Sequence, residues 1–462
     1  MLAPPEYKQI SSYMIGWLTT LAWVATVATE TLFAGTIIQG ILVLDYPSYD
    51  SQQYQGTLLT WAIIAVCIFI NVVIPNSLPR FEVFILVFHL AGFVAILVTL
   101  LVMTPSFTSN EAVWRTSLNT GGWPTQGLSY CVGFLGNVAT FVGADASVHL
   151  AEEVSNAALN IPRAILSAML INGAVGFAMI VTILYCLNDI EGVLNTPTGF
   201  PFIQIFSDSV RNTAGATAMA ALVLALTWAC ATGIITTASR MAWSFSRDRG
   251  VPFANYLMEV NPRTQVPVRA VFAVTGFAAL LTCIYIGSSV AFNDVVSLTI
   301  TGFYGSYLVP AGLLLHHRIK GNIALPNSDD DETTPILGPE VLATQPSRHK
   351  YPSSPHPSDS HNTTPVIDVR LVWGPWRLPG LLGIINNVYA CAYMVFVIFW
   401  SVWPPATPVT AESMNYSVVV TSGVLIVSVV WYYVRGKREY KGPLIDEEVA
   451  AVMRVGNVGC VD

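Results

Sequence analysis

Ten apolar runs, each of about the twenty residues needed to cross roughly 30 Å of hydrocarbon, leave this chain few ways to fold. They are residues 12–44, 58–74, 81–103, 128–150, 164–187, 216–243, 270–286, 290–315, 381–403 and 417–434. Charged residues make up 11% of the 462 positions, and hydrophobic ones 53%. An ordinary globular protein carries about 25% charge, so this chain cannot tile a water-facing surface. In a bilayer every backbone polar group must be satisfied internally, which for runs of this length means helices. The predicted class is an all-α, polytopic helical membrane protein. The first run exceeds a vertical crossing and is expected to tilt steeply or to continue as an interfacial helix.

Lysine and arginine placement orients the spans. With a cytoplasmic N-terminus, ten crossings put Lys8, Arg80, Arg163, the cluster from Arg240 to Arg269, the arginines and lysines of 318–377, and those of the tail on one side. Only Arg115 and Arg211 fall on the other, so 19 of the 21 cationic residues share the cytoplasmic face. Both termini are then cytoplasmic. The start, Met1-Leu-Ala-Pro-Pro-Glu, has no basic n-region, so the first span is expected to act as its own insertion signal. The division is into eight spans over 1–319, a loop over 320–369, two further spans over 370–434 and a tail over 435–462. The loop is rich in Pro, Ser, Thr, Asp and His, carries the acidic run 329–332, and buries too little apolar surface to fold, so it is predicted to be disordered.

Several chemistries are excluded. A net charge of -7 without a basic stripe argues against nucleic acid. No GxSxG, HExxH, Walker loop or CxxC is present, so no enzyme, cofactor or metal is expected. Six of the seven cysteines lie inside apolar runs without metal or disulfide spacing and are expected to be small buried hydrophobes; the seventh, Cys460, is in the tail.

The fourth run holds the densest polar chemistry. Gly133, Gly136 and Gly143 weaken its helix, each by about 1 kcal/mol against alanine. Asp145 lies just beyond Gly143, at a depth where a carboxylate costs several kcal/mol unless paired, protonated or wet. Asp145, His149 and Glu153 share one face at i, i+4, i+8. The pattern predicts a discontinuous helix whose freed backbone holds a polar solute and whose acids carry a proton. A helix packed through small residues, with the acids capping neighbouring elements at the lip, is the bland alternative, and it is preferred for His149 and Glu153. Glu30, with Thr26 and Trp23 on its helix face, either titrates in an aqueous cavity or makes a structural bond. His89 reads as a satisfied structural histidine. In the eighth run Ser297, Thr301 and Tyr304 form a polar stripe that either lines a solute path or bonds neighbouring helices.

Three stretches carry a family resemblance: Phe141-Val-Gly-Ala-Asp-Ala-Ser-Val-His-Leu-Ala-Glu-Glu153 with Asn160-Ile-Pro-Arg-Ala164; Ser239-Arg-Met-Ala-Trp-Ser-Phe-Ser-Arg-Asp-Arg-Gly-Val-Pro252 with Val266-Pro-Val268; and Gly374-Pro-Trp-Arg-Leu-Pro-Gly380 with Asn386. With them the chain resembles the amino acid–polyamine–organocation transporter superfamily, and within it the fungal amino acid/choline branch of GABA- and choline-permease-like proteins. The resemblance implies two inverted five-helix repeats with broken first helices, followed by two accessory helices. On that plan Met1 falls before the third helix, and the first two are absent. The resemblance places Ala139, Thr140, Phe141, Val142 and Gly143 at the substrate-facing break, and Asp145 at a position linked to proton coupling.

The expected function is a secondary active transporter in a membrane, expected to be the plasma membrane. It would import an amino acid, GABA or choline, coupled to protons. Ser297, Thr301 and Tyr304 are further substrate candidates, and Glu30 a second proton carrier. A non-transporting nutrient sensor of the same fold is the alternative, as is an inactive fragment.

Overall fold

A computed structural model of the chain describes residues 2–287, 291–325, 371–411 and 413–443, the side chains of 291 and 292 excepted. Most of the segment predicted disordered, including its acidic run, lies outside the described residues, as do Cys460 and the tail beyond 443.

Among the described residues ten helices are long and apolar enough to cross a membrane. They are α1 (Lys8–Asp45), α2 (Gln53–Val73), α3 (Leu78–Met103), α4 (Gln126–Ala139) with the 3-10 segment Ala144–Glu153, α5 (Ala157–Cys186), α6 (Thr213–Arg247), α7 (Val268–Thr282, extended by Ile284–Gly287), α8 (Ala291–Lys320), α9 (Gly380–Ser401) and α10 (Ser417–Trp431). No β-strand occurs among the described residues. Local signals set the ends. Pro75 stops α2, and Pro79 sits in the first turn of α3. The Thr125 hydroxyl accepts from the Leu128 amide to cap α4, and Asn212 caps α6 through the Ala214 amide.

α1 is the central post. At 38 residues it is about 57 Å long, one continuous helix rather than a crossing with a separate interfacial piece. Tyr13, Ala22, Trp23, Ala25, Val27, Ala28 and Leu32 are buried along it, packed by α2, α6, α7 and α8. Without a hydrophobic drive between helices in lipid, close approach supplies the packing. Gly302 of α8 shows this: a Cβ there would stand 2.9 Å from the Ala22 methyl. Polar side chains reinforce the contacts. The Thr236 hydroxyl donates to Asn71 Oδ1 at 2.5 Å, and Asn71 Nδ2 donates to the Thr232 carbonyl at 3.1 Å, joining α2 to α6. Outward faces are apolar, as on α3 and α5, where Val83, Phe84 and Leu170 are exposed.

The start of α1 and the ends of α6 and α10 meet at one end of the bundle, here the base, through Tyr13, Phe245 and Tyr432. Also described is the root of the long loop. Residues Ala324 and Val372 form a parallel bridge, with the Ala324 amide on the Leu371 carbonyl at 2.8 Å and the Trp373 amide on the Ala324 carbonyl at 3.0 Å.

Candidate functional site

The fourth crossing breaks at Thr140–Gly143. α4 stops at Ala139, and Gly143 takes φ +85°, a left-handed conformation that glycine alone adopts without penalty. Beyond it the chain resumes as a ten-residue 3-10 segment, longer than such helices usually run. Of the three glycines that mark this run, Gly143 makes the break. Gly133 and Gly136 sit in ordinary helix with nothing near their missing side chains.

Beside the break lies a cavity of about 860 Å³, walled by α1, α3, α6 and the 3-10 segment. α1 supplies Trp23, Thr26 and Glu30, spaced to share one helix face. α3 supplies Glu82 and His89, seven residues apart and hence also on one face. α6 supplies Cys230, Thr227 and Arg240, and the break supplies Val142, Gly143 and Ser147. Both carboxylates lie close to Cys230, and the thiol rests against Glu30. Glu82 also crowds α6, its Oε1 3.1 Å from where a Gly233 side chain would begin.

At one edge the 3-10 segment is tied to α6 by two ion pairs. Arg240 Nε meets Glu153 Oε1 at 2.9 Å, and Arg247 Nη2 meets Glu152 Oε1 at 3.0 Å. Glu153, expected at the lip, makes this ion pair and also lines the cavity. Asp145 is held deeper. Tyr307 of α8 donates to its Oδ1, and His149 Nε2 meets its Oδ2. The Trp23 ring stands edge-on to both His149 and Phe303, at 5.7 and 5.0 Å, so it braces the break against α8.

The sequence-predicted residues divide. Glu30, Val142 and Gly143 line the cavity. Ala139, Thr140 and Phe141 do not; Thr140 bonds back to the Gly136 carbonyl, and Phe141 turns toward Gly173 of α5. Asp145 sits behind the lining, in its network with Tyr307 and His149. The structure does not bring Ser297, Thr301 and Tyr304 to this cavity. Asn415 donates to Ser297 at 3.0 Å, Thr301 pairs with Ser401 at 3.1 Å, and Tyr304 packs on Tyr393, so the stripe faces α9 and the approach to α10.

Among the polar lining residues that the sequence reading did not single out are Glu82, Cys230, Arg240, Ser147 and Thr227. The seven-residue spacing of Glu82 and His89 was the available signal, and His89, read as structural, lines the cavity. Of the six cysteines expected to be buried, Cys67 and Cys186 are, Cys131, Cys283 and Cys391 are half-buried, and Cys230 is exposed to the cavity.

Comparison with known proteins adds an independent line. Residues 7–424 match the family model described as amino acid permease. A choline transporter of Saccharomyces cerevisiae is 27% identical over 95% of this chain and 69% of its own length. An uncharacterized amino-acid permease of Schizosaccharomyces pombe is 27% identical over 97% of this chain and 74% of its own. The amino-acid permease BAT1 of Arabidopsis thaliana is 26% identical over 96% of this chain and 79% of its own.

Proposed function

Because this chain belongs to the amino acid permease family, we propose that it is a secondary active transporter that imports an amino acid or a related amine, such as GABA or choline, coupled to protons. The family is one of transporters and not of enzymes. The observation that supports the reading most directly is the cavity at the helix break. Its walls carry Glu30 and Glu82 on different helices, and the cation at its edge, Arg240, is already matched by Glu153. Carboxylates at membrane depth favour an amine that neutralises them, or a proton. A broken helix next to them offers backbone groups to the rest of the solute.

Asp145 is the residue we assign to coupling. Both its oxygens are engaged, so a proton added to either one disturbs the contact with Tyr307 or with His149. Loading a proton thus bears on the same short segment that walls the cavity. We place the protein in the plasma membrane with both termini cytoplasmic. The test is uptake into proteoliposomes of labelled choline, GABA and neutral amino acids under an imposed pH gradient. Saturable accumulation that collapses with a protonophore is expected. Folded protein that accumulates none of them would end this reading.

A further inference from the structure

We infer that the loop joining α6 to α7, residues 248–267, is a lipid-binding foot that seats on anionic phospholipid headgroups of the leaflet at the base of the bundle. The inference does not depend on what the cavity carries. Four arginines and two acids lie between 247 and 269, a local excess of positive charge. Two of the arginines are taken: Arg247 pairs with Glu152, and Arg269 with Glu259 at 2.6 Å. Arg249 and Arg263 are exposed and have no acidic partner among the described residues.

The loop is folded back against the crossings it joins. Its middle is the short helix Ala254–Leu257. The Trp243 indole of α6 donates to the Met258 carbonyl at 2.9 Å, and Arg269 of α7 donates to the Tyr256 carbonyl at 3.3 Å. Trp243 comes four residues before the end of α6, about 6 Å back along its axis. Arg269 is in the first turn of α7, its guanidinium 4.3 Å from the centre of the Tyr256 ring. Phe272, Gly276 and Leu280 follow Arg269 at i+3, i+7 and i+11 and so share its face, and Phe272 and Leu280 are exposed. On a crossing helix an exposed apolar stripe meets lipid. Tyr256 therefore stands at the foot of a lipid-facing stripe, level with the helix ends.

Phe253 completes the arrangement. Its backbone is left-handed, φ +58°, which is unfavourable for a side chain of that size, and its ring is 84% exposed. At the boundary between headgroups and acyl chains such a ring is buried. Tryptophan and tyrosine favour the same depth, being apolar bodies with one polar handle. An arginine there lays its stem along the apolar layer and reaches phosphate with its guanidinium. The rings thus supply insertion, and the free Arg249 and Arg263 supply charge complementarity. Together they select an anionic phospholipid over a zwitterionic one, and over a free anion, which gains nothing from the rings.

Purified protein in detergent is titrated with dioctanoyl phosphatidylserine, with dioctanoyl phosphatidylcholine or with inorganic phosphate, and its unfolding temperature is followed. Phosphatidylserine should stabilise it at concentrations where the other two do not. An arginine beside an anionic lipid surface corresponds to about fivefold in affinity, so Arg249→Gln with Arg263→Gln should raise the half-maximal concentration about 25-fold. Lys437→Gln with Arg438→Gln, at the same end of the bundle, should leave it near the parent value. An equal response to the two lipids, a response to phosphate as strong as to phosphatidylserine, or an unchanged midpoint in the arginine double variant overturns the inference.

Hydrogen exchange in nanodiscs gives a readout apart from unfolding temperature. Amides of 248–262 should exchange several-fold more slowly in discs containing phosphatidylserine than in phosphatidylcholine discs, because a seated loop opens less often. Phe253→Ser should bring them back toward the phosphatidylcholine rate. The loop over 188–200, at the other end of the bundle and carrying Asp189 and Glu191, should not slow. Identical exchange of 248–262 in the two discs overturns the foot, whether or not the protein accumulates any solute.

Discussion

The hydroxyl of Tyr307 donates to Oδ1 of Asp145 at 2.5 Å, while the other oxygen of the same carboxylate meets His149 at 3.0 Å. One side chain thereby fixes the broken crossing to α8 and to its own next turn. Substituting either partner disturbs both the position of the segment and the environment of the acid.

Tyr307→Phe leaves Asp145 short of one donor, a loss of about 1–3 kcal/mol for a half-buried carboxylate. The variant should unfold at lower temperature in detergent and show a shifted pH dependence of uptake. Asp145→Asn, on the coupling hypothesis, should abolish accumulation driven by a pH gradient but retain exchange of labelled for unlabelled solute. Undiminished uphill uptake at acidic pH by Asp145→Asn would show that coupling lies elsewhere.

Gly143 and Gly136 should respond in opposite directions to the same substitution. Alanine at 143 must hold φ +85°, which costs an L-residue about 1–2 kcal/mol. Alanine at 136 meets open space inside a helix and gains up to about 1 kcal/mol in propensity. Thermal unfolding of the two single variants checks the contrast. Equal effects would mean that the break is not set by the conformation at 143.

Thiol chemistry should separate the cysteines. Cys230, exposed to the cavity, is expected to react and to block uptake once modified, with substrate slowing the reaction. Cys67 and Cys186 are buried and should remain unmodified in folded protein. Mass spectrometry of peptides after timed labelling gives the order directly.

The Glu153–Arg240 pair is partly exposed, with Glu153 59% open, so its contribution to stability should be under about 1 kcal/mol. Glu153→Arg and Arg240→Glu should each impair uptake more than they lower the unfolding temperature, because like charges push the 3-10 segment off α6. Combining them should recover much of the uptake. If the double variant is as poor as the worse single one, the pair does not act through its attraction.

Epitopes placed at 462 and near 353 should both be cytoplasmic, given the side on which 19 of 21 cationic residues fall. Antibody access in intact against permeabilised cells tests this. Labelling of either epitope from outside would require a different orientation.

The ten crossings were legible because each is a long apolar run between polar breaks, and the hydrocarbon core accepts little else. Gly143 beside Asp145 also marked the break in advance, since a flexible residue followed by a costly one has few structural uses at that depth. Facing was harder to read. Ser297 and Thr301 form a stripe indistinguishable in sequence from a solute path, and what decides is Asn415 and Ser401, more than a hundred and exactly a hundred positions downstream respectively. Glu82 and His89 are isolated polar residues on a mostly apolar helix, and only the placement of α3 against α6, across the cavity from α1, makes them cavity walls.

The bridge between Ala324 and Val372 gives the long loop a single point of departure and return. α8 and α9 also pack directly on one another, so their spacing does not depend on how many residues intervene. The entropy of closing such a loop grows only logarithmically with its length, each doubling costing about 0.6 kcal/mol. This stretch is therefore one place where a sequence can gain or lose dozens of residues, and acquire new binding motifs, with almost no thermodynamic message reaching the membrane-embedded bundle.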